Sequence, residues 1–137
     1  TAKKSGCSHL LFIDSDMVFS EDLLEKLLAH DKDIIGVNYM RKLRNSDGLI
    51  IPLTTVNYKD KIPLKLFKCD EVGTGILLIK MSVFDKIKLP WFKFEYDNKG
   101  KIVCGEDYFF CKEAQKVGFD IWCDPEIYVK HIGDYEY

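Results

Sequence analysis

Four apolar residues in a row, Leu10-Leu11-Phe12-Ile13, run without alternation straight into Asp14-Ser15-Asp16. A strand with one wet face alternates apolar and polar side chains. An unbroken run therefore predicts a strand covered on both faces, as in the parallel sheets of α/β proteins. Ile34-Ile35-Gly36-Val37-Asn38-Tyr39 reads as the next strand, and Ile76-Leu77-Leu78-Ile79 as a second buried one. Between the first two, Leu23, Leu24, Leu27 and Leu28 form a helical stripe. Ser20 is placed to cap that helix, and Glu21 and Asp22 suit the positive end of its dipole. The opening is strand–helix–strand, the βαβ unit of an α/β fold.

The rest of the chain continues the mixture. Asn45-Ser46-Asp47-Gly48 and Asp60-Lys61-Ile62-Pro63 read as turns, with short strands between Ile50 and Tyr58. Lys65 to Asp70 reads as a strand, and Ser82 is placed to cap a short helix. Phe92-Lys93-Phe94-Glu95-Tyr96 alternates, and Asp97-Asn98-Lys99-Gly100 turns it back into Lys101-Ile102-Val103, which predicts a β-hairpin near residues 92–103. Gly105-Glu106-Asp107 opens a helix with Phe110, Ala114 and Val117 on its apolar stripe and Gly118 at its end. Ile121-Trp122-Cys123 and Ile127-Tyr128-Val129 read as short strands. No linker or composition break divides residues 1–137, which are expected to form a single domain.

Composition narrows the partners. Lys+Arg (20) and Asp+Glu (22) nearly cancel, so a dominant nucleic-acid surface is excluded. Aromatics at 13% and a net charge of -2 exclude disorder. No apolar run approaches the roughly 20 residues of a membrane span. The five cysteines include no C-x-x-C pair and no histidine at finger spacing, which argues against structural zinc. Several lie in apolar runs, pointing to a reducing, cytoplasmic compartment.

The sharpest chemical signal is Asp14-Ser15-Asp16 at the end of an apolar strand, where open α/β sheets bind ligands. If the backbone stays extended, both carboxylates point to one side. Two such charges call for a cation, and hard oxygen ligands suit Mg²⁺ or Mn²⁺, which in turn suits a diphosphate. Glu106 and Asp107 form a second acidic pair, readable as helix capping or as a general base for an acceptor hydroxyl. Gly73-Thr74-Gly75 is either a plain tight turn or a close approach to a ligand. His131 alone is an ordinary packed histidine; beside a metal it is a third ligand. Arg41, Lys42 and Arg44 read as a solvated loop. Trp91, Phe92 and Trp122 read as core aromatics, with sugar stacking as the alternative use.

The order of these pieces adds information that none carries alone. LLFIDSDM, VGTGILLIK, GEDYFFCKEAQKVGFDIWCDP and VKHIG together resemble nucleotide-sugar glycosyltransferases of the GT-A fold, family 2-like, from Leu10 to Gly133. The resemblance implies a GT-A-like, partly Rossmann-like mixed sheet flanked by helices. It implies transfer of a sugar from a nucleoside-diphosphate donor to the hydroxyl of a glycan or other acceptor, with inversion. Asp14 and Asp16 match the metal motif, Asp14 also facing the donor ribose. His131 matches the third ligand to Mn²⁺ or Mg²⁺. Asp107 matches the catalytic base, with Glu106 holding the acceptor. Gly73, Thr74 and Gly75 match the sugar-pocket lining, and Trp91 is a candidate contact. Relatives carry a further βαβ portion ahead of the D-x-D strand, so the chain is expected to be the C-terminal part of such a catalytic domain.

Two rival readings stand beside it. Asp14-Ser15-Asp16-Met17-Val18 also fits the D-x-D-x-[TV] motif of haloacid-dehalogenase-like phosphatases. Asp14 would then attack phosphorus, Asp16 would serve as acid/base, and Glu106 and Asp107 would hold Mg²⁺. That scheme gives Gly73–Gly75 and His131 nothing to do. The other rival is a non-catalytic module that binds glycans or nucleotides.

Overall fold

The computed structural model describes residues 2–44, 50–52 and 62–132, with side chains for 4–39 and 62–132. After a 3₁₀ turn at Ala2–Ser5, the elements are β1 (His9–Ile13), β2 (Met17–Phe19), α1 (Leu23–Ala29), β3 (Ile34–Val37), β4 (Met40–Arg44), β5 (Ile50–Pro52), β6 (Phe67–Cys69) and β7 (Ile76–Lys80). They continue with α2 (Val83–Lys86), β8 (Glu95–Tyr96), β9 (Ile102–Cys104), α3 (Glu106–Lys116), β10 (Ile121–Asp124) and β11 (Val129–His131). The turns expected at 45–48 and from 60, and any strand from 53 to 58, lie outside the described residues.

Five strands form a mixed sheet in the order β1-β7-β3-β10-β6. β7 runs antiparallel to both β1 and β3, β3 is parallel to β10, and β6 is antiparallel to β10. The α/β class read from the sequence is the one observed. Side chains alternate between two cores, which explains the unbroken apolar runs. Leu77, Ile79, Ile34, Ile121 and Cys123 face a cluster completed by Phe84 of α2 and by Phe110 and Ala114 of α3. Ile76, Leu78, Ile35 and Val37 face a second cluster completed by Leu23 and Leu27 of α1. With both faces covered, no position of Ile76–Ile79 or of β3 can be polar without burying an unpaired group.

Several details differ from the sequence reading. β1 is covered on both faces, Leu10 and Phe12 against one cluster and Leu11 against the other, yet only partly buried. Among the described residues it pairs only with β7, and antiparallel, because direction depends on a strand far along the chain. α1 starts at Leu23 with Asp22 at its N-cap, while the Ser20 hydroxyl bonds the Asp22 carboxylate instead of a helix N–H. Leu24 and Leu28 are exposed, so the buried stripe is Leu23 and Leu27 alone. At the C-cap of α3, Val117 is exposed, whereas Phe109 and Cys111 within the helix are buried.

The hairpin is shorter than its alternation suggests, because Phe92 leaves the strand to stack on Phe110. Its turn is as read: Asp97 Oδ1 accepts the N–H groups of Lys99 and Lys101, and Gly100 takes φ +77°. The last strand is Val129–His131; Ile127 is core and Tyr128 exposed.

Cysteine chemistry gives a direct check on this packing. Cys69, Cys104, Cys111 and Cys123 are buried, Cys7 is exposed, and none forms a disulfide. Burial pushes the thiols of Cys111 and Cys123 up to about 12, which suppresses the reactive thiolate. A bulky thiol reagent is expected to titrate Cys7 rapidly in the native protein and the other four only after unfolding. Rapid reaction of the buried thiols in native buffer would contradict the two-core arrangement.

Candidate functional site

The site is built where β1 ends. Asp14 N–H donates to the carbonyl of Gly75 at 2.9 Å, and Met17 N–H donates to the Asp14 carbonyl at 3.2 Å, closing a turn over Ser15 and Asp16. The extended continuation expected at Asp14–Asp16 is therefore replaced by a turn, which lets the chain enter β2. β2 pairs with β11, with Met17 opposite His131, and Ile132 N–H donates to the Asp16 carbonyl at 2.8 Å. These bonds bring Asp16 Oδ2 to 3.5 Å from His131 Nε2, with the histidine side chain largely buried and the carboxylate more open to solvent.

Gly73 is buried and Thr74 half-buried on the approach to β7. Gly75 N–H donates to the hydroxyl of Tyr39 at 2.9 Å. A Cβ on Gly75 would stand 2.5 Å from that hydroxyl, so glycine is required for space rather than for an unusual φ. The close approach suspected at Gly73-Thr74-Gly75 is thus occupied by a tyrosine. The Tyr39 ring also meets the His131 ring edge-on, centroids 5.5 Å apart at 84°. Burial, reinforced by the charges of Asp14, Asp107 and Asp16, pushes the Tyr39 phenol well above its ordinary range. Three of the four candidate carboxylates, Asp14, Asp16 and Asp107, therefore lie within electrostatic reach of one hydroxyl. The sequence reading misses Tyr39; the available signal is a hydroxylated aromatic at the carboxyl end of a strand, where such sheets bind ligands.

Glu106 and Asp107 occupy the first turn of α3 behind Gly105. Asp107 Oδ1 accepts the N–H of Tyr108 at 2.8 Å, so this carboxylate does serve the helix start. Trp91 lies with a different group: it packs on Phe84 at 4.9 Å, and its indole N–H donates to the Ile87 carbonyl. Gly133, the end of the H-x-G motif, lies outside the described residues.

Among the described residues, no three His, Cys, Asp or Glu side chains form a ready-made metal cage. What the site offers is the Asp16–His131 pair, on the turn that Asp14 opens. A divalent cation that bridges a diphosphate takes only one or two protein ligands and fills the rest from phosphate oxygens and water. Two donors each about 2.1 Å from one ion are roughly 3 Å apart at a right angle, so a 3.5 Å pair fits with little movement. Carboxylate oxygen with imidazole nitrogen is a donor set that Mn²⁺ accepts.

No family model and no curated protein matches the chain. Solved structures do. A197 from STIV superposes with TM-score 0.66 at 20% identity, over 96% of this chain and 61% of its own. GalNAc-T7, crystallised with UDP, GalNAc and Mn²⁺, superposes with TM-score 0.56 at 14% identity, over 96% of this chain and 29% of its own. The chain thus spans less than two thirds of either structure. At these identities the likeness is one of fold, an α/β core compatible with part of a GT-A-like domain. No helix among the described residues is long and apolar enough to cross a membrane.

Proposed function

We propose that the chain is the part of a GT-A glycosyltransferase catalytic domain that carries the metal and acceptor side of the reaction. A sugar passes from a nucleoside-diphosphate donor to an acceptor hydroxyl with inversion at the anomeric carbon. One observation carries the reading: Asp14, Asp16, Gly75 and His131, from three separate motifs, are tied together by backbone bonds and one side-chain pair. The fold likeness to GalNAc-T7 supports it.

In this reading Asp16 and His131 would hold Mn²⁺ or Mg²⁺, with Asp14 beside them or on the donor ribose. When bound, the cation supplies neutralisation of charge on the departing diphosphate. Gly73, Thr74 and Gly75 line the sugar pocket. Asp107 accepts the proton of the attacking hydroxyl, and Glu106 holds the acceptor in place. In the same reading Trp91, half-buried against Phe84 and apart from this group, is the remaining candidate contact for the sugar or acceptor. The phosphatase reading is weaker because Gly75 and His131, idle in that scheme, are the groups bonded to the Asp14–Asp16 turn.

Asp16→Ala tests the proposal. Asp16 is a partly exposed turn residue, so its loss is expected to leave the melting curve close to wild type. Calorimetry with UDP is expected to show Mn²⁺-dependent binding in the wild type and none in the variant. Equal Mn²⁺-dependent affinity in both proteins would remove Asp16 from the site and the proposal with it.

A further inference from the structure

We infer that Tyr39 is a positioning residue that couples the Gly73–Gly75 turn to the Asp16–His131 pair. The inference rests on the reading of that site proposed above. Tyr39 follows β3 and is 5% exposed. Its hydroxyl accepts the Gly75 N–H, and the Gly75 carbonyl in turn accepts the Asp14 N–H. The edge-on contact with His131 sits on the same side chain. One residue therefore spans both halves of the site, its oxygen fixing the turn beside Asp14 and its ring seating the imidazole.

The two functions are separable because they use different atoms. A buried tyrosine needs a partner for its hydroxyl, and here that partner is a backbone N–H with no space for any residue but glycine. The imidazole contact is a ring contact that phenylalanine reproduces. Groups that orient a metal ligand without touching the metal commonly change its affinity by 10–100-fold. Tyr39 is in that position toward His131, and through Gly75 toward Asp14.

The test uses two variants and two probes, aqueous Mn²⁺ followed by electron paramagnetic resonance and UDP added with Mn²⁺. Tyr39→Leu, checked for folding by circular dichroism, is expected to weaken Mn²⁺ binding about 10–100-fold and to move the His131 imidazole NMR signals. Tyr39→Phe is expected to bring Mn²⁺ affinity back to within about threefold of wild type, since the ring is restored. It is also expected to lose hydrogen-exchange protection at the Gly75 amide and to bind UDP with Mn²⁺ more weakly. Folded Tyr39→Leu with wild-type Mn²⁺ affinity and unmoved His131 signals would overturn the inference. So would Tyr39→Phe with an unchanged Gly75 amide, which decides the matter if the leucine variant does not fold. If the wild type itself binds no Mn²⁺, the glycosyltransferase reading fails separately. The metal-free His131 and Gly75 readouts then still decide whether Tyr39 couples the two segments.

Discussion

Asp107→Asn is expected to reduce sugar transfer by about 10²–10⁴-fold, with Mn²⁺-dependent UDP binding unchanged. Asparagine keeps the size of the side chain and can still accept the Tyr108 N–H through its amide oxygen, so the start of α3 is preserved. What it cannot do is take a proton from an attacking hydroxyl. The expected signature is a fall in kcat at constant donor affinity, measured with a nucleoside-diphosphate sugar and a hydroxyl acceptor. Wild-type transfer in that variant would show that Asp107 does no more than serve the helix. A parallel loss of UDP binding would place it in the donor site instead of at the acceptor.

Phe110→Ala is expected to cost about 3–5 kcal/mol of folding stability, the usual range for deleting a fully buried aromatic. Phe110 has no exposed surface and stacks on Phe92 at 4.8 Å and 15°. It also touches Phe84, and Phe92 in turn meets Phe12 edge-on. Removing the central ring opens a cavity between α3, α2 and the outer strand β1, which small rotamer changes cannot refill. Urea unfolding followed by tryptophan fluorescence reads the loss. Phe94→Ala, at a half-exposed position on the approach to the hairpin, is the internal control and is expected to stay within about 0.5 kcal/mol of wild type. Comparable losses in both variants would mean that the aromatic stack is not where the core sits.

The sequence foretold the architecture where the causes were local or two-sided. β3 and β7 announced themselves because cover on both faces excludes polar residues, and the hairpin turn did so because Asp97 bonds its own neighbours. Strand direction was not legible, since β7 meets β1 and β3 only after long excursions of chain. Helix faces were overread: Leu24, Leu28 and Val117 fit an apolar stripe by spacing, but the covering layer ends before it reaches them. At the site, Asp14, Asp16, Gly75 and His131 each sit in a recognisable motif. Tyr39 sits in none, because its significance comes from partners on β11 and at the start of β7.

The reversed direction of β7 has a consequence for charge. Running against β1 and β3, it starts at the rim where Asp14 and Tyr39 gather, so the small, uncharged Gly73–Gly75 segment that leads into it lies there. Its last residue, Lys80, is carried to the opposite rim, where it is anchored by Asp31 at 2.8 Å and Asp33 at 3.4 Å. A parallel strand of the same sequence would have pointed that ammonium group toward the Asp14–Asp16 rim. Strand polarity thus places the Lys80 ammonium on the rim opposite Asp14 and Asp16, where it pairs with Asp31 and Asp33 instead.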